Sequence, residues 1–228
     1  PQDWDGREVF ISFDGVDSFF YLWINGQYVG FSKNSRNAAN FNITPYLQKG
    51  KNTVAAEVYR SSDGSFLEAQ DMFRLPGIFR TVALYSVPKV HFRDLVATPD
   101  LDATYTDGSL TVNAEIRNLD KKAIKDYKVY YSLYANKLYS DENTLVDGFL
   151  SPVIDKIAPN ETGSVQTVLK VKAPNKWSAE FPYRYTLVAE LKDKKNRTVE
   201  MVSTIVGFRK VEIKDTPASE DEFGLAGR

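Results

Sequence analysis

The chain has 228 residues, with 29 basic and 30 acidic side chains and a formal net charge of −1. This length is sufficient for one large domain or two modest domains that each bury their own core. A net charge near zero provides no electrostatic footprint for nucleic acid or for an anionic membrane, so neither is an expected partner.

The composition also excludes several kinds of site. Without cysteine the chain has no disulfide framework and no thiolate metal site, and its single histidine, His91, excludes a multi-histidine zinc site. No apolar run approaches the roughly 20 residues that are required to cross a bilayer. Residues 1–7 lack the pattern of a signal peptide, so the sequence leaves the compartment undetermined.

In the first part of the chain, alternating residues predict β-strands. The runs lie at residues 9–13, 19–24, 28–31, 52–59 and 81–87. The aromatic run at 19–24 ends in Asn25-Gly26, the dipeptide that favours a type I′ turn, which predicts a tight hairpin. Trp23 is predicted to pack in the core, because its neighbours in this run are apolar.

After Pro88 the pattern restarts with shorter and more regular strands. They are predicted at residues 110–116, 129–133, 167–171, 185–191 and 199–206. Turn signals lie at Asp107-Gly108, Asp147-Gly148 and residues 160–163. About seven short strands in this half predict an immunoglobulin-like sandwich. The whole chain is therefore expected to be all-β.

The connection at residues 60–80 is where we expect chemistry. A connection this long is uncommon unless it is functional or docked on a neighbour. It interleaves aromatic rings with the acids Glu68 and Asp71 and the arginines Arg74 and Arg80, a mixture that suits a sugar or cation site. Spacing alone favours a structural alternative, in which one of these arginines pairs with one of these acids and pins the loop.

Motifs of other enzyme classes are missing from the sequence. It contains no Gly-x-Ser-x-Gly elbow, no P-loop and no dinucleotide-binding pattern. Most of its carboxylates fall on alternating strands and turns, where solvated positions are expected. We therefore assign no catalytic residue to this chain.

Three motifs of the 60–80 segment resemble a signature of the family 2 glycoside hydrolases of the β-galactosidase type. They are Ser62-Asp63-Gly64-Ser65, Gln70-Asp71-Met72 and Gly77-Ile78-Phe79-Arg80. Further similar segments are residues 13–16, 22–26, 29–31, 35–36, 41–42, 176–182 and 206–209. The resemblance covers residues 8–214.

The resemblance implies a fold and a domain order. Residues 1–88 would form a truncated jelly-roll sugar-binding domain, residues 89–213 an immunoglobulin-like sandwich, and residues 214–228 a linker toward a catalytic barrel. The first strands of the jelly roll would be absent, which would leave sandwich edges or a core face unpaired. A homo-oligomer formed through such exposed edges is left open.

The resemblance also implies a function. The chain would be the non-catalytic N-terminal part of a β-galactosidase, a retaining enzyme for terminal β-D-galactosides. Its nucleophile and acid/base glutamates would lie in the barrel of the same polypeptide, so the chain alone is expected to be inactive. The parent protein would belong to the bacterial cytoplasm or periplasm.

One site residue is carried over from the family. Asp71, in the Gln-Asp-Met motif, would bind a sodium ion and the galactosyl hydroxyls, while Glu68, Arg74 and Arg80 would support the loop. Sodium would belong to the intact enzyme, magnesium is left open there, and no cofactor is expected in this chain alone.

Two alternatives stay open. Relatives that act on β-glucuronides or β-mannosides share the Gly-Ile-Phe-Arg type of motif, so the chain could come from one of those enzymes. A stand-alone carbohydrate-binding module is the alternative from a different class, because β-sandwiches host both functions.

Overall fold

The computed structural model describes residues 2–68, 70, 71 and 73–212. The chain divides into two compact units, Pro1–Val90 and His91–Arg228. The linker expected at residues 214–228 lies outside the described residues. Strands dominate both units, and within the described part of the chain no helix is long and apolar enough to cross a membrane.

The first unit is a β-sandwich with one helical turn. Its elements are β1 (Glu8–Phe13), β2 (Val16–Asp17), β3 (Phe19–Ile24), β4 (Gln27–Ser32), β5 (Ala39–Asn42), β6 (Val54–Tyr59), α1 (Gly64–Leu67), β7 (Gly77–Ile78) and β8 (Val82–Val87), with 3-10 turns at Gln2–Trp4 and Thr44–Tyr46. The sheets have the orders β5-β1-β8 and β4-β3-β6, and a small third sheet pairs β2 with β7.

Alternation places one face of each strand in the core of this unit. In β3 the buried residues are Phe20, Leu22 and Ile24, and they pack with residues of β1 such as Ile11 and Phe13. The other face of β3 points outward. Trp23 lies on that outward face and is only half-buried, so the prediction that it packs in the core is wrong.

The Asn25-Gly26 hairpin is confirmed. Both residues have positive φ angles, 52° and 78°, and β3 and β4 pair antiparallel around them. Asn25 also donates to the backbone oxygen of Tyr46 at 2.9 Å, which ties the turn to a neighbouring segment. A positive φ angle at two successive positions is the requirement that this dipeptide meets at low cost.

The sandwich is open along β6 and β8. Leu84 lies opposite Ile11, which is buried, and therefore points to the core side, yet it is 54% exposed. Val54 of β6, opposite the buried Ile24, is 46% exposed. Core-facing side chains are thus left in solvent along the β6 and β8 edges of the unit.

The second unit is a sandwich of two sheets. Its strands are β9 (Val90–Leu101), β10 (Gly108–Asn118), β11 (Lys128–Asn136), β12 (Asn143–Leu150), β13 (Thr162–Val171), β14 (Tyr185–Lys192) and β15 (Thr198–Val206). The sheet orders are β13-β10-β9 and β12-β11-β14-β15. Every second residue of β10 and of β14 is buried, which agrees with the immunoglobulin-like sandwich predicted from alternation.

Asp147-Gly148 is not a turn, which corrects the prediction made from this dipeptide. Both residues lie inside β12, where a β-bulge shifts the register between Leu133 and Tyr134 of β11. A Cβ atom on Gly148 would overlap the Tyr130 hydroxyl oxygen. The glycine therefore serves close packing between strands and not chain reversal.

Candidate functional site

The segment at residues 60–80 leaves the first unit as a loop whose two ends are held by β-structure. Before the loop, the Ser18 nitrogen donates to the oxygen of Tyr59 at 3.3 Å. At its far end, β7 pairs with β2, and the nitrogen of Phe79 donates to the oxygen of Gly15 at 3.3 Å. Such fixed ends restrict where the middle of a long loop can lie.

A cluster of serine hydroxyls holds the first turn of this loop. Ser18 is only 1% exposed. Its hydroxyl donates to the Ser62 hydroxyl at 2.9 Å and accepts from the Ser65 hydroxyl at 3.0 Å. The Ser65 hydroxyl also accepts from the Ser62 nitrogen at 2.9 Å. The Ser-Asp-Gly-Ser motif thus closes the α1 turn on the sheet, a role that sequence reasoning missed.

Glu68 lies at the end of α1 and contacts a segment far away in sequence. Its carboxylate accepts from the hydroxyl of Ser35 at 2.5 Å and from the backbone nitrogen of Ser35 at 3.2 Å. Ser35 is 1% exposed, so this pair is largely shielded from water. Glu68 therefore anchors the loop through a serine and not through an arginine.

Asp63 forms a second and more exposed contact of the same loop. It accepts from the ammonium group of Lys33 at 2.9 Å, and both side chains are largely exposed. The hydrogen bond from Lys33, followed by that from the Gly64 nitrogen, lowers the pKa of Asp63 below its ordinary value. Exposed pairs of this kind contribute little to stability.

Arg80 supports the far end of the loop through backbone oxygens. Its guanidinium donates to the oxygen of Arg36 at 2.9 Å and to that of Asp14 at 3.4 Å. The same group lies 5.3 Å from the ring centroid of Phe79, within the range of a cation–π contact. Neither contact uses Glu68 or Asp71 as the partner.

Arg74 lies nearer the middle of the loop and is half-buried. One of its guanidinium nitrogens, Nη2, is buried and has no hydrogen-bond partner among the described residues. Buried donors of this kind are rare in folded proteins. How Arg74 supports the loop therefore stays a prediction.

Asp71 is exposed, and the described residues provide it with no hydrogen-bond or ion-pair partner. The apolar side chains around it are exposed as well. Phe66 and Leu67 are 86% and 87% exposed, and Phe73 and Leu75 are 96% and 76% exposed. A loop that displays a carboxylate among apolar side chains has the character of a surface that another element covers.

Asp71 is the residue that the sequence predicts as a sodium ligand. The carboxylate of Asp71 is a hard oxygen donor of the type that sodium and magnesium bind. Within the described part of the chain, no group of three or more histidine, cysteine, aspartate or glutamate residues is arranged to hold a metal ion. Asp71 therefore fits as one oxygen ligand, and its binding of sodium stays a prediction.

Two family profiles match the chain. The profile described as glycosyl hydrolases family 2, sugar binding domain, matches residues 1–88, and the profile described as glycosyl hydrolases family 2 matches residues 90–209. Together they cover most of both structural units.

The β-galactosidases that are similar in sequence are much longer than this chain. The β-galactosidase of Priestia megaterium is 44% identical over 213 residues, which are 93% of this chain and 20% of that protein. The β-galactosidase of Photobacterium profundum is 43% identical over 209 residues, which are 90% of this chain and 19% of that protein. The chain thus spans about a fifth of the length of these curated relatives.

Solved structures share the fold. A structure of Bacteroides uniformis β-glucuronidase 2 superposes with a TM-score of 0.82 at 22% sequence identity, covering 96% of this chain and 26% of that one. A likeness at this level of identity concerns the arrangement of strands and carries no information about the substrate.

Proposed function

Because this chain belongs to family 2 of the glycosyl hydrolases, we propose that it is the non-catalytic, N-terminal part of a β-galactosidase. In this proposal the first unit binds sugar and the second is an immunoglobulin-like spacer. The parent reaction is the retaining hydrolysis of terminal β-D-galactosides. The identity to β-galactosidases over nine-tenths of the chain supports this substrate class.

The observation that carries the proposal is the state of the loop at residues 60–80. Glu68 and Arg80 hold the loop near both ends, whereas Asp71 between them is exposed together with Phe66 and Phe73. This arrangement suits a loop that docks on a further domain and delivers one carboxylate to a pocket built mainly by that domain.

The role of Asp71 in that pocket follows from its chemistry. An ionised carboxylate accepts hydrogen bonds from sugar hydroxyls and provides an oxygen ligand for a sodium ion. Asp71 would thus orient the galactosyl group, with the remaining contacts supplied by the further domain. It would act as a binding residue, since it would neither attack the anomeric carbon nor protonate the leaving group.

The chain alone is proposed to be inactive. Retaining hydrolysis requires a nucleophile and an acid/base carboxyl group about 5–5.5 Å apart on either side of the scissile bond. Asp71 on its own supplies neither role, and the two catalytic glutamates are placed in the further domain. Incubation of the pure chain with o-nitrophenyl β-D-galactoside tests this, because turnover above the buffer blank would contradict the proposal.

The contribution of Asp71 can be measured in a chimera. We would replace the matching segment of the Priestia megaterium β-galactosidase by this chain and compare Asp71→Asn with Asp63→Asn, a control on the same loop. Loss of one charged contact to the substrate should lower kcat/KM roughly ten- to hundredfold, mainly through KM. The response to added sodium should fall only in Asp71→Asn.

Two results would refute this assignment. One is a folded, active chimera in which Asp71→Asn and Asp63→Asn behave alike. The other concerns the sugar. The longer polypeptide that contains this segment is expected to prefer the galactoside, and a preference for the corresponding β-glucuronide or β-mannoside would refute the assignment.

A further inference from the structure

The outward face of the β4-β3-β6 sheet in the first unit carries a continuous group of aromatic rings, which we term the aromatic face. Its members are Phe19, Tyr21 and Trp23 of β3, Tyr28 and Phe31 of β4, and Tyr59 of β6. None of these rings takes part in the mechanism proposed for Asp71.

Tyr21 lies at the centre of the aromatic face. Its ring centroid is 4.7 Å from that of Phe19 and 5.8 Å from that of Trp23 along the same strand. Across the sheet, the centroids of Tyr28, Phe31 and Tyr59 lie 6.0, 6.3 and 6.0 Å from it. These contacts hold the rings together as one surface, since edge and tilted ring pairs at such distances are favourable.

The aromatic face is not needed to fill the core of its own unit. The opposite face of β3 supplies the fully buried side chains Phe20, Leu22 and Ile24. Tyr28, Phe31 and Tyr59 remain 50%, 52% and 41% exposed. Six clustered rings in contact with solvent mark an interaction surface.

A carboxylate lies among these rings. Glu57 of β6 is directly opposite Tyr21, and it is exposed. The Tyr59 hydroxyl donates to Glu57 Oε1 at 2.9 Å, and this hydrogen bond raises the pKa of Tyr59 above its ordinary value. The face therefore offers a hydrogen-bond acceptor at its β6 edge, beside the ring of Tyr59.

The residue types on the aromatic face discriminate between kinds of partner. Its remaining outward position, opposite Trp23, is Ala55, so no large aliphatic side chain lies among these positions. The core of a protein–protein interface is enriched in aromatic side chains but depleted in glutamate. Rings combined with a carboxylate instead match a pyranose, which presents C–H groups on one face and hydroxyls at its edge.

We propose that the aromatic face binds a pyranose oligosaccharide, with sugar rings stacked on its exposed rings and a hydroxyl donating to Glu57. This inference rests on the sugar-binding role proposed for the first unit. From Phe19 to Trp23 the strand rises by about 13 Å, which is longer than one sugar ring. An open surface of this length favours a chain over a monosaccharide, because each ring adds its own stacking contact.

The experiment is a titration of the full 228-residue chain with oligosaccharides, in which binding is measured from the NMR chemical shifts of the backbone amides. The probes are β-1,4-galactotetraose, cellotetraose and galactose. We expect at least one tetrasaccharide to bind at millimolar concentrations and to shift amides of β3, β4 and β6. Galactose should produce no measurable shift.

Variants at the exposed rim of the aromatic face test which residues bind. Tyr28→Ala and Phe31→Ala should each weaken tetrasaccharide binding roughly fivefold or more through the loss of a stacking ring. Tyr28→Phe keeps the ring and should bind like the unchanged chain. Tyr139→Ala, a change at a tyrosine that is 88% exposed in the second unit, is the matched control and should have no effect.

Several outcomes would overturn the inference. They are the absence of binding by both tetrasaccharides, shifts confined to other strands, and equal affinity in Tyr28→Ala and Tyr139→Ala at unchanged circular dichroism. Burial of the aromatic face between two copies of the chain in solution would overturn it as well. Because no step uses hydrolysis or Asp71, failure here leaves the chimera test of the proposed function intact.

Discussion

Removing the carboxylate of Glu68 should release the loop at residues 60–80 while the sandwich of the first unit stays folded. Ser35, 1% exposed, donates to this carboxylate through both its hydroxyl and its backbone nitrogen, at 2.5 and 3.2 Å. In Glu68→Ala both donors lose this acceptor in a place that water reaches poorly. The loop would then be held mainly by its serine cluster and by Arg80.

The size of the effect follows from these two contacts. A hydrogen bond to a charged group contributes about 1.5–3 kcal/mol. Glu68 is only half-buried, so water replaces part of what is lost. We therefore expect the loop to open about 2–3 kcal/mol more easily, since the two contacts share one carboxylate and are not additive. This corresponds to a shift of the opening equilibrium by roughly 30- to 150-fold.

Amide hydrogen exchange measures this opening directly. The amides of Ser65 and Phe66, which donate within the α1 turn at 3.1 and 3.4 Å, should exchange faster by the same factor. Lys33→Met is the matched control, because it breaks only the exposed pair with Asp63 and should change exchange by less than about fivefold. Equal acceleration in the two variants, or none in Glu68→Ala, would refute the anchor.

Three further changes test the packing of the two units. Phe20 is a core residue that is 1% exposed, and Phe20→Ala should lower the free energy of unfolding of the first unit by about 3–5 kcal/mol in a urea titration. Phe31→Ala on the outward face should lower it far less. Similar losses in the two variants would contradict the assignment of faces. Gly148→Ala should destabilise the second unit by only about 1 kcal/mol, because the new Cβ would overlap the hydroxyl at the tip of the Tyr130 side chain, and the same change should cost less in a Tyr130→Ala background. Burial raises the pKa of Tyr131 from 10.0 to about 12, so the folded state keeps a proton that the unfolded chain releases, and stability is lost as the pH rises through this interval. Between about pH 10 and pH 12 the unchanged chain should lose about 2–3 kcal/mol of its free energy of unfolding, and Tyr131→Phe should not show this loss. Parallel pH profiles for the two proteins would show the prediction to be wrong.

Local features of the fold were predictable from the sequence. The alternation in β10 and β14 and the Asn25-Gly26 turn depend on residues only one or two positions apart. The physical reason is that strand period and turn type are set by backbone conformation and by immediate neighbours. The length of the loop at residues 60–80 and its mixture of acids, arginines and rings can also be read along the chain, and its role as the place of chemistry stays a prediction.

Contacts between distant residues were not predictable in this way. Glu68 was expected to support the loop, but its partner Ser35 lies 33 residues earlier. Asp147 and Gly148 lie inside β12 because this strand pairs with β11 along its whole length, on both sides of the bulge. Turn-forming dipeptides state a local preference, and cross-strand pairing can override it.

By itself, then, the sequence determined the strand periods, the hairpin turn, the all-β class and the segment that carries Asp71. Only the tertiary structure decided that Trp23 and Tyr21 face outward while Phe20 and Leu22 fill the core. Both sets are apolar, so composition could not distinguish them. The choice depends on which face of β3 meets the second sheet of the sandwich, and that is a property of the assembled unit.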